Sequence, residues 1–276
     1  MTHRQTTLAA ATATAAISMA LVLSLAGAAA PVHAVELPAP IRVILVGDST
    51  MATNSGYGDA FCERFVAQVK CVNLARGGRS SASFRAEQRW AEVEAMLRDG
   101  GAFSATYVLI QFGHNDQPGK PGRSTDLARE FPVNIARYVT EAKALGAVPV
   151  LVTPLTRRSF RDQYLRDDLA PWADATRKVA RREHAVLLDL NADSAAAVQA
   201  LGQQGADTLA MAPAPATPPA PATPSANDSN KVEIGGAAKS AFDRTHVGAK
   251  GAALFADMVK AELMAVVPST KQWFKH

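Results

Sequence analysis

Residues 41–49 read IRVILVGDS, an apolar run broken only by Arg42 that ends in Gly47, Asp48 and Ser49. A short apolar run that stops at a glycine predicts a strand buried on both faces, as strands of a parallel sheet are. The hydroxyl of Ser49 is then expected at the carboxyl edge of that sheet. Ligands of open α/β sheets bind at this edge, so one stretch predicts both a fold class and a candidate site.

The rest of the chain alternates between strand and helix patterns, which predicts an α/β fold whose parallel sheet is covered by helices on both faces. Further strands are predicted over residues 71–74, 106–112, 148–152 and 185–190. Helices are predicted over residues 58–69, 87–98, 130–145, 172–184 and 248–267. A chain of 276 residues can bury one sizeable core, so one domain is the default expectation.

The first 34 residues have the pattern of a secretory signal peptide. Arg4 is their only charged side chain, residues 8–30 are apolar or small, and residues 32–34 (VHA) offer a small-residue cleavage site. The alternative is an uncleaved membrane anchor, because the uncharged stretch is just long enough to span a bilayer. Cleavage predicts a secreted or periplasmic domain over residues 35–276, without stable membrane insertion.

The charge balance does not favour a nucleic-acid partner. The formal net charge is +4, and removing Arg4 with the leader leaves 28 basic and 25 acidic side chains, which is +3. No run of basic residues alternates with aromatic residues, as a single-strand binder requires. The oligomeric state is open at this point, and a monomer is the default expectation.

The chain contains two cysteines, Cys62 and Cys71, and both lie in the domain that follows the leader. Export to an oxidising compartment favours a disulfide between them. The alternative is a pair of free thiols, one on a helix and one at the start of a strand.

Residues 206–230 interrupt the alternating pattern. They are rich in Ala, Pro and Thr, most clearly from Met211 onward, and such a composition does not build a core. We expect an extended external loop inserted before the last helix.

Asp243 and His246 stand three residues apart, just before the predicted last helix. This spacing lets a histidine donate from Nδ1 to the carboxylate and keep Nε2 free as a base for a serine hydroxyl. Ser49 is the candidate nucleophile, although a serine after a strand also serves as a helix cap. His114 is the alternative base, since it follows another strand and has Asp116 close by.

Acyl transfer from an ester also needs donors for the oxyanion that forms during the reaction. The backbone N–H of Ser49, the backbone N–H of Gly78 and the side-chain amide of Asn115 are the candidates. The structural alternatives are that Gly78 only forms a turn and that Asn115 only bonds its own loop.

These residues resemble the four blocks of the SGNH (GDSL-type) hydrolase superfamily. The blocks stand in the expected order as residues 47–52 (GDSTMA), 73–80 (NLARGGRS), 113–116 (GHND) and 243–246 (DRTH). The resemblance implies Ser49 as nucleophile, His246 as base and Asp243 as the residue that orients it. It also implies an oxyanion hole from Ser49, Gly78 and Asn115, and a flavodoxin-like three-layer α/β/α sandwich with strand order 2-1-3-4-5. We expect no cofactor, and a metal-dependent deacetylase is disfavoured because no His/Asp cluster has ligand spacing beyond residues 114–116 and 243–246.

Within the superfamily, the chain resembles the rhamnogalacturonan acetylesterase group. The resembling features are the GDSTMA block, the runs GGRS (77–80) and GHNDQ (113–117), and TPLTRRSF (153–160). This implies an acetylated, pectin-like polysaccharide or a small ester as substrate; the insertion at 206–230 departs from the compact pattern of the group. A lipolytic or thioester-cleaving hydrolase with the same residues is the alternative, and an inactive carbohydrate-binding protein is a minor one.

An acidic polysaccharide would find arginines near the predicted strand ends. Arg79 and Arg157 are the candidate substrate-binding residues, because a guanidinium binds a carboxylate through two hydrogen bonds. Arg76, Arg158 and Arg161 lie in the same regions. The alternative is that these arginines are solvated or pair with Asp162, Asp167 and Asp168. Tyr57 and Trp172 are candidates for stacking on sugar rings.

Overall fold

The computed structural model describes residues 39–215 and 242–275. The predicted leader at residues 1–34 and most of the predicted insertion, from residue 216 onward, lie outside these ranges. Over the two ranges described, no helix combines the length and the apolar character that crossing a membrane requires.

The described residues contain seven strands, and five of them form the central parallel sheet. In chain order the strands are β1 (Ile41–Gly47), β2 (Val69–Asn73), β3 (Ala105–Gln111), β4 (Val148–Val152), β5 (Phe160–Arg161), β6 (Tyr164–Leu165) and β7 (Val186–Leu188). The sheet order is β2-β1-β3-β4-β7, and β5 pairs with β6 as a separate antiparallel hairpin. With β7 counted as the fifth strand of the sheet, the expected order 2-1-3-4-5 is confirmed.

Helices cover both faces of this sheet. They are α1 (Gly58–Cys62), α2 (Ser83–Ala86), α3 (Arg89–Arg98), α4 (Phe131–Ala144), α5 (Ala170–Arg182), α6 (Leu190–Asp207) and α7 (Ala249–Val266), followed by a 3-10 turn over Pro268–Trp273. Val43 and Leu45 of β1 belong to the core cluster that contains α1, α6 and α7, whereas Ile44 and Val46 belong to the cluster that contains α3, α4 and α5. This alternation along one strand produces the three-layer sandwich.

Two predicted helices are longer than the helices in the structure. The helix expected over residues 58–69 ends at Cys62, because Phe65 pairs with Phe274 and the N–H of Val66 donates to the carbonyl of Trp273 at 2.8 Å. The helix expected over residues 87–98 begins at Arg89, because Gln88 has a left-handed backbone with φ of 61°.

The predicted start of the insertion at residue 206 is wrong. Helix α6, which was not predicted, runs to Asp207, and Ala206 and Leu209 are buried in the core. Ala210 then pairs with Val247 in an isolated bridge. Alanine suits both a buried helix and a low-complexity loop, so composition alone placed the boundary several residues too early.

Cys62 at the end of α1 and Cys71 within β2 are joined by a disulfide, with their Cα atoms 5.4 Å apart. The bridge fastens the shortest helix of the first core cluster to the edge strand of the sheet. It accounts for both cysteines of the chain.

Candidate active site

Ser49 lies in a tight turn at the carboxyl end of β1. The carbonyl of Asp48 accepts hydrogen bonds from the N–H groups of Met51 and Ala52, at 3.2 and 3.0 Å, so the chain turns immediately after the strand. The carbonyl of Ser49 accepts a 2.7 Å bond from the hydroxyl of Ser55. Only 5% of Ser49 is exposed. The turn therefore holds the hydroxyl in a largely dry position at the edge of the sheet.

Ser49, His246 and Asp243 form a continuous line of side-chain contacts. Ser49 Oγ lies 2.7 Å from His246 Nε2, and His246 Nδ1 lies 3.0 Å from Asp243 Oδ2. The other carboxylate oxygen of Asp243 accepts 2.7 Å bonds from the N–H groups of Thr245 and His246. A proton on Nδ1 that is donated to Asp243 leaves Nε2 to accept the serine hydroxyl proton.

The carboxyl group of Asp243 is held in its ionised form. Burial alone would raise its pKa, but the hydrogen bond and charge of His246, together with the N–H groups of residues 245 and 246, outweigh burial and hold the pKa far below its usual range. An ionised carboxylate in this position stabilises an imidazolium that forms on the facing ring.

Arg158 anchors the loop that carries Asp243 and His246. Its side chain is fully buried, and Nη2 donates to the carbonyl oxygens of Asp243 and His246 at 3.0 and 2.7 Å. Its own N–H donates to the carbonyl of Arg244 at 2.9 Å. Burial lowers the pKa of Arg158 to about 10 against the attraction of Asp243, so the guanidinium stays charged at neutral pH. The sequence suggested a surface role for Arg158, and its burial rules that out.

A buried hydrogen-bond network holds the turn at Asp48 and Ser49 in place. Tyr57 Oη donates to Gln111 Oε1 at 2.8 Å, and Gln111 Nε2 donates to Thr50 Oγ1 at 2.7 Å. Thr50 in turn donates to Asp48 Oδ1 from its hydroxyl at 2.8 Å and from its backbone N–H at 2.9 Å. Because Tyr57 has no exposed surface, its expected role as a sugar-stacking side chain is wrong. Trp172 is 7% exposed, so the same expectation fails for it.

His114 faces Asp48 and not the hydroxyl of Ser49. The Nδ1 atom of His114 lies 3.3 Å from Asp48 Oδ2, a contact within electrostatic reach that lacks hydrogen-bond alignment. Burial would raise the pKa of Asp48, but His114 and the bonds from Thr50 lower it overall. Burial lowers the pKa of His114 despite Asp48, and the positive charges of Arg157 and Lys120 lower it further. The contact to Ser49 Oγ comes from His246, so the geometry favours His246 over His114 as the base.

The three predicted oxyanion donors lie at the ends of β1, β2 and β3. Gly78 has a left-handed backbone with φ of 76°, a conformation that suits glycine. Among the residues described, the N–H groups of Ser49 and Gly78 donate to no other group. Asn115 is 6% exposed, and its Nδ2 donates to the carbonyl of Arg79 at 3.1 Å. This bond reaches the second block and leaves one amide hydrogen for a ligand.

Asp116 ties the third block to the second. Its carboxylate accepts from the N–H of Ser81 at 3.1 Å, from the Ser81 hydroxyl at 2.5 Å and from the Thr125 hydroxyl at 3.0 Å. Burial raises the pKa of Asp116 to about 6, although these donors oppose the rise. The network connects the chain just after Asn115 to the chain just after Gly78.

The two arginines predicted to bind substrate already have partners. Arg79 Nε donates to Glu87 at 2.8 Å, and Nη1 donates to the carbonyl of Gly77 at 2.7 Å. Arg157 forms an ion pair with Asp168, and its Nε donates to the hydroxyl of Thr245 at 3.3 Å. Their role in substrate binding stays a prediction, with part of each charge neutralised. Within the described ranges, no three His, Cys, Asp or Glu side chains are grouped so as to hold a metal ion.

Comparisons with known proteins show the family of the chain. Residues 45–254 match the GDSL-like Lipase/Acylhydrolase family. The chain is 33% identical over 178 residues to the rhamnogalacturonan acetylesterase RhgT of Bacillus subtilis, which covers 62% of this chain and 73% of that protein.

Solved structures agree on the fold. The crystal structure of the YXIM protein of Bacillus subtilis superposes with a TM-score of 0.59 at 23% identity, over 83% of this chain and 57% of that one. A catalytic mutant of Axe2, an acetylxylan esterase from Geobacillus stearothermophilus, superposes with a TM-score of 0.55 at 16% identity, over 82% and 95% of the two chains. The chain therefore belongs to the GDSL-like lipase/acylhydrolase family and is a carboxylic ester hydrolase.

Proposed function

We propose that this protein is an exported acetylesterase that removes acetyl groups from rhamnogalacturonan or a closely related pectin-like polysaccharide. The observation that carries the chemistry is the line of contacts from Ser49 Oγ to His246 Nε2, 2.7 Å, and from His246 Nδ1 to Asp243 Oδ2, 3.0 Å. The substrate is carried by the likeness to the rhamnogalacturonan acetylesterase of Bacillus subtilis.

The reaction would proceed in two steps. His246 takes the proton of Ser49 Oγ as this oxygen attacks the acetyl carbonyl, and the tetrahedral intermediate forms with a negatively charged oxygen. His246 then donates the proton to the sugar oxygen, which leaves as an alcohol. Water, deprotonated by the same histidine, then attacks the acetyl-Ser49 ester. The bond from the acetyl carbon to Oγ breaks, His246 returns the proton to Oγ, and acetate is released.

The oxyanion would be held by preorganised donors from three strand ends. They are the N–H groups of Ser49 and Gly78 and the free hydrogen of the Asn115 amide. Asp116 and the carbonyl of Arg79 fix Gly78 and Asn115 relative to each other, so little reorganisation is needed when charge develops. Asp243, ionised in the resting protein, balances the charge of the imidazolium.

The distribution of exposed apolar side chains favours a small acyl group over a long one. The exposed large apolar side chains of the described residues are Val133, Tyr164, Leu201 and Val266. None of the four belongs to a block that carries the candidate catalytic residues. A fatty acyl chain would need a continuous apolar groove next to Ser49, so we expect acetate esters to be hydrolysed in preference to octanoate esters.

Export is inferred from the leader pattern at residues 1–34. It predicts that the protein recovered from outside the cytoplasm of a bacterial host begins close to residue 35. N-terminal sequencing of that fraction tests this point. A secreted fraction that still begins at Met1 would contradict cleavage.

Replacement of Ser49 tests the chemistry. Ser49→Ala should lower kcat for an aryl acetate by about 10⁴-fold or more and abolish labelling by a fluorophosphonate. Ser269→Ala, an exposed serine in the 3-10 turn, is the matched control and should keep both. Labelling of the Ser49→Ala protein would exclude Ser49 as the nucleophile.

A substrate panel tests the specificity. Acetate release should be fastest from acetylated rhamnogalacturonan and slower from acetylated xylan at equal acetyl content. An aryl octanoate that is hydrolysed as fast as an aryl acetate would favour the lipolytic alternative. Polysaccharide binding without acetate release or fluorophosphonate labelling would favour the inactive carbohydrate-binding alternative.

A further inference from the structure

A compact loop at residues 117–125 (QPGKPGRST) follows Asn115 and Asp116. The N–H of Lys120 donates to the hydroxyl of Ser124 at 2.8 Å, and this hydroxyl donates to the carbonyl of Gln117 at 2.8 Å. The N–H of Thr125 donates to the carbonyl of Asp116 at 2.9 Å, which closes the loop at its base. Lys120 therefore sits on a loop whose ends are fixed to the candidate active site.

The loop is in contact with both sides of that site. On one side, Gln117 Nε2 donates to the carbonyl of Asp168 at 3.1 Å, and Asp168 pairs with Arg157, which bonds Thr245 beside His246. On the other side, Arg123 Nη1 donates to the carbonyl of Gly78 at 3.5 Å. These contacts join the loop that carries Lys120 to the base loop, through Asp168 and Arg157, and to Gly78 of the predicted oxyanion hole.

Lys120 differs in its partners from Arg79 and Arg157, the two arginines that the sequence suggested for substrate binding. Arg79 pairs with Glu87, and Arg157 pairs with Asp168. The ammonium group of Lys120 forms no hydrogen bond or ion pair with any residue in the described part of the chain. A lysine that is only partly exposed and lacks an acidic partner is unusual, because a desolvated charge is costly unless it is paired.

The electrostatic surroundings of Lys120 add to this cost. Burial lowers its pKa to about 8, and repulsion from Arg157 and Arg123 contributes, while the more favourable charges of Asp48 and Asp168 do not compensate. The positive charge of Lys120 in turn lowers the pKa of His114, the neighbour of Asn115. The ammonium is thus close enough to His114 for its charge to act on that side chain.

We propose that Lys120 binds the carboxylate of a uronic acid residue in the polysaccharide and so selects acidic over neutral acetylated substrates. A carboxylate beside Lys120 would supply the negative partner that the described residues do not provide. It would also offset the repulsion from Arg157 and Arg123. A neutral sugar offers no such gain. This inference rests on the proposed function for the identity of the substrate, and it assigns to Lys120 the task that the sequence suggested for Arg79 and Arg157.

The test uses unacetylated trigalacturonate as a competitive inhibitor of aryl acetate hydrolysis, which separates carboxylate binding from polysaccharide turnover. Lys120→Met should raise the inhibition constant by about tenfold, the loss expected for one charge-assisted hydrogen bond. Lys120→Arg retains the charge and should stay much closer to the unmodified protein. Lys178→Met, an exposed lysine on α5, is the matched control and should not change the inhibition constant. Xylotriose, which has no carboxylate, should inhibit all four proteins alike.

The outcomes separate the two proposals. An unchanged inhibition constant in Lys120→Met would overturn the role of Lys120, and so would a protein that releases acetate from rhamnogalacturonan but is not inhibited by trigalacturonate. A protein that hydrolyses the aryl acetate but neither deacetylates rhamnogalacturonan nor binds trigalacturonate would overturn the proposed substrate together with the role of Lys120.

Discussion

The guanidinium of Arg158 donates a 2.7 Å hydrogen bond to the backbone carbonyl of His246. The same Nη2 atom donates to the carbonyl of Asp243, so one buried cation spans both ends of the segment that carries the base and its orienting carboxylate. This segment follows chain outside the described residues and precedes α7, and Arg158 attaches it to the end of β4. The position of the imidazole relative to Ser49 therefore depends on a side chain that does not touch the imidazole.

Replacement of Arg158 by methionine should impair both stability and activity. Methionine has a similar length but leaves the two carbonyls without their donor, and we expect the free energy of unfolding to fall by about 2–4 kcal/mol. The kcat for an aryl acetate should fall by about tenfold or more, because a displaced base loses its contact with the nucleophile. Urea unfolding and steady-state kinetics measure the two effects.

Arg161→Met is the matched control for this experiment, since Arg161 lies on the exposed hairpin. It should change neither quantity. A stable Arg158→Met protein with normal kcat would contradict the positioning role of Arg158.

Replacement of Asn115 by alanine should lower kcat more than it changes KM. The amide is predicted to act on the oxyanion, which develops in the transition state and is absent from the bound ester, so its loss should cost about 10²–10³-fold in kcat. Asn134→Ala is the matched control: its amide bonds Ser81 at 3.1 Å and has no predicted role in the reaction. If the two variants lose the same activity, the effect of Asn115 is structural.

The sheet was predictable because its strands are buried on both faces. The apolar runs of β1, β3 and β4 need no information from the rest of the chain, and the polar residues that follow them mark the carboxyl edge. Ser49 and Asn115 were predicted in this way, and Gly78 was predicted from the glycine-rich turn after β2. The Asp243–His246 spacing supplied the pair that the structure brings to Ser49.

The remaining features depend on contacts between distant parts of the chain. Arg157 and Arg158 are neighbours of the same type, yet one faces Asp168 and the other is buried against carbonyls at residues 243–246. The neighbouring sequence does not indicate which of the two side chains is buried. Helix α6 was missed because its alanine-rich sequence has a weak apolar stripe. Helix α1 ends early because Phe65, just after it, pairs with Phe274 near the end of the chain.

The buried carboxyl of Asp116 should make stability depend on pH. Its pKa is raised to about 6 in the folded protein, above the ordinary value of 3.8, so folding favours its protonated form. This contribution is fully present below pH 4 and is lost as the pH rises through 6. Asp116→Asn does not ionise at this position. As the pH rises from 4 to 7, we expect its free energy of unfolding to increase by about 2–3 kcal/mol relative to that of the unmodified protein.

Urea unfolding of both proteins across this pH range measures the difference. Asp162→Asn, at a largely exposed aspartate, is the control and should follow the unmodified protein at every pH. A stability difference between Asp116→Asn and the unmodified protein that does not vary with pH would show that Asp116 has an ordinary pKa.

Removal of the disulfide should lower stability without changing the chemistry. The bridge closes a short loop, with a sequence separation of 9 between Cys62 and Cys71, for which chain entropy predicts about 2–3 kcal/mol. A double Cys62→Ala, Cys71→Ala variant should therefore have a lower Tm, while kcat at 25 °C stays close to normal. A reducing agent should lower the Tm of the unmodified protein and leave that of the variant unchanged; equal sensitivity of the two would count against the bridge.

The bridge between Ala210 and Val247 also affects how well the protein tolerates changes in the length of residues 216–241. The N–H of Gly248 donates to the carbonyl of Leu209 at 3.0 Å, and Arg244 pairs with Asp207, so the chain is already fastened on both sides of residues 216–241. Closing a longer or shorter connection between fastened ends costs only about 0.6 kcal/mol for each doubling of its length. We therefore expect that residues 216–241 can be replaced by a segment of another length or by an inserted domain. The neighbouring loop with Asp243 and His246 would keep its own anchor in Arg158.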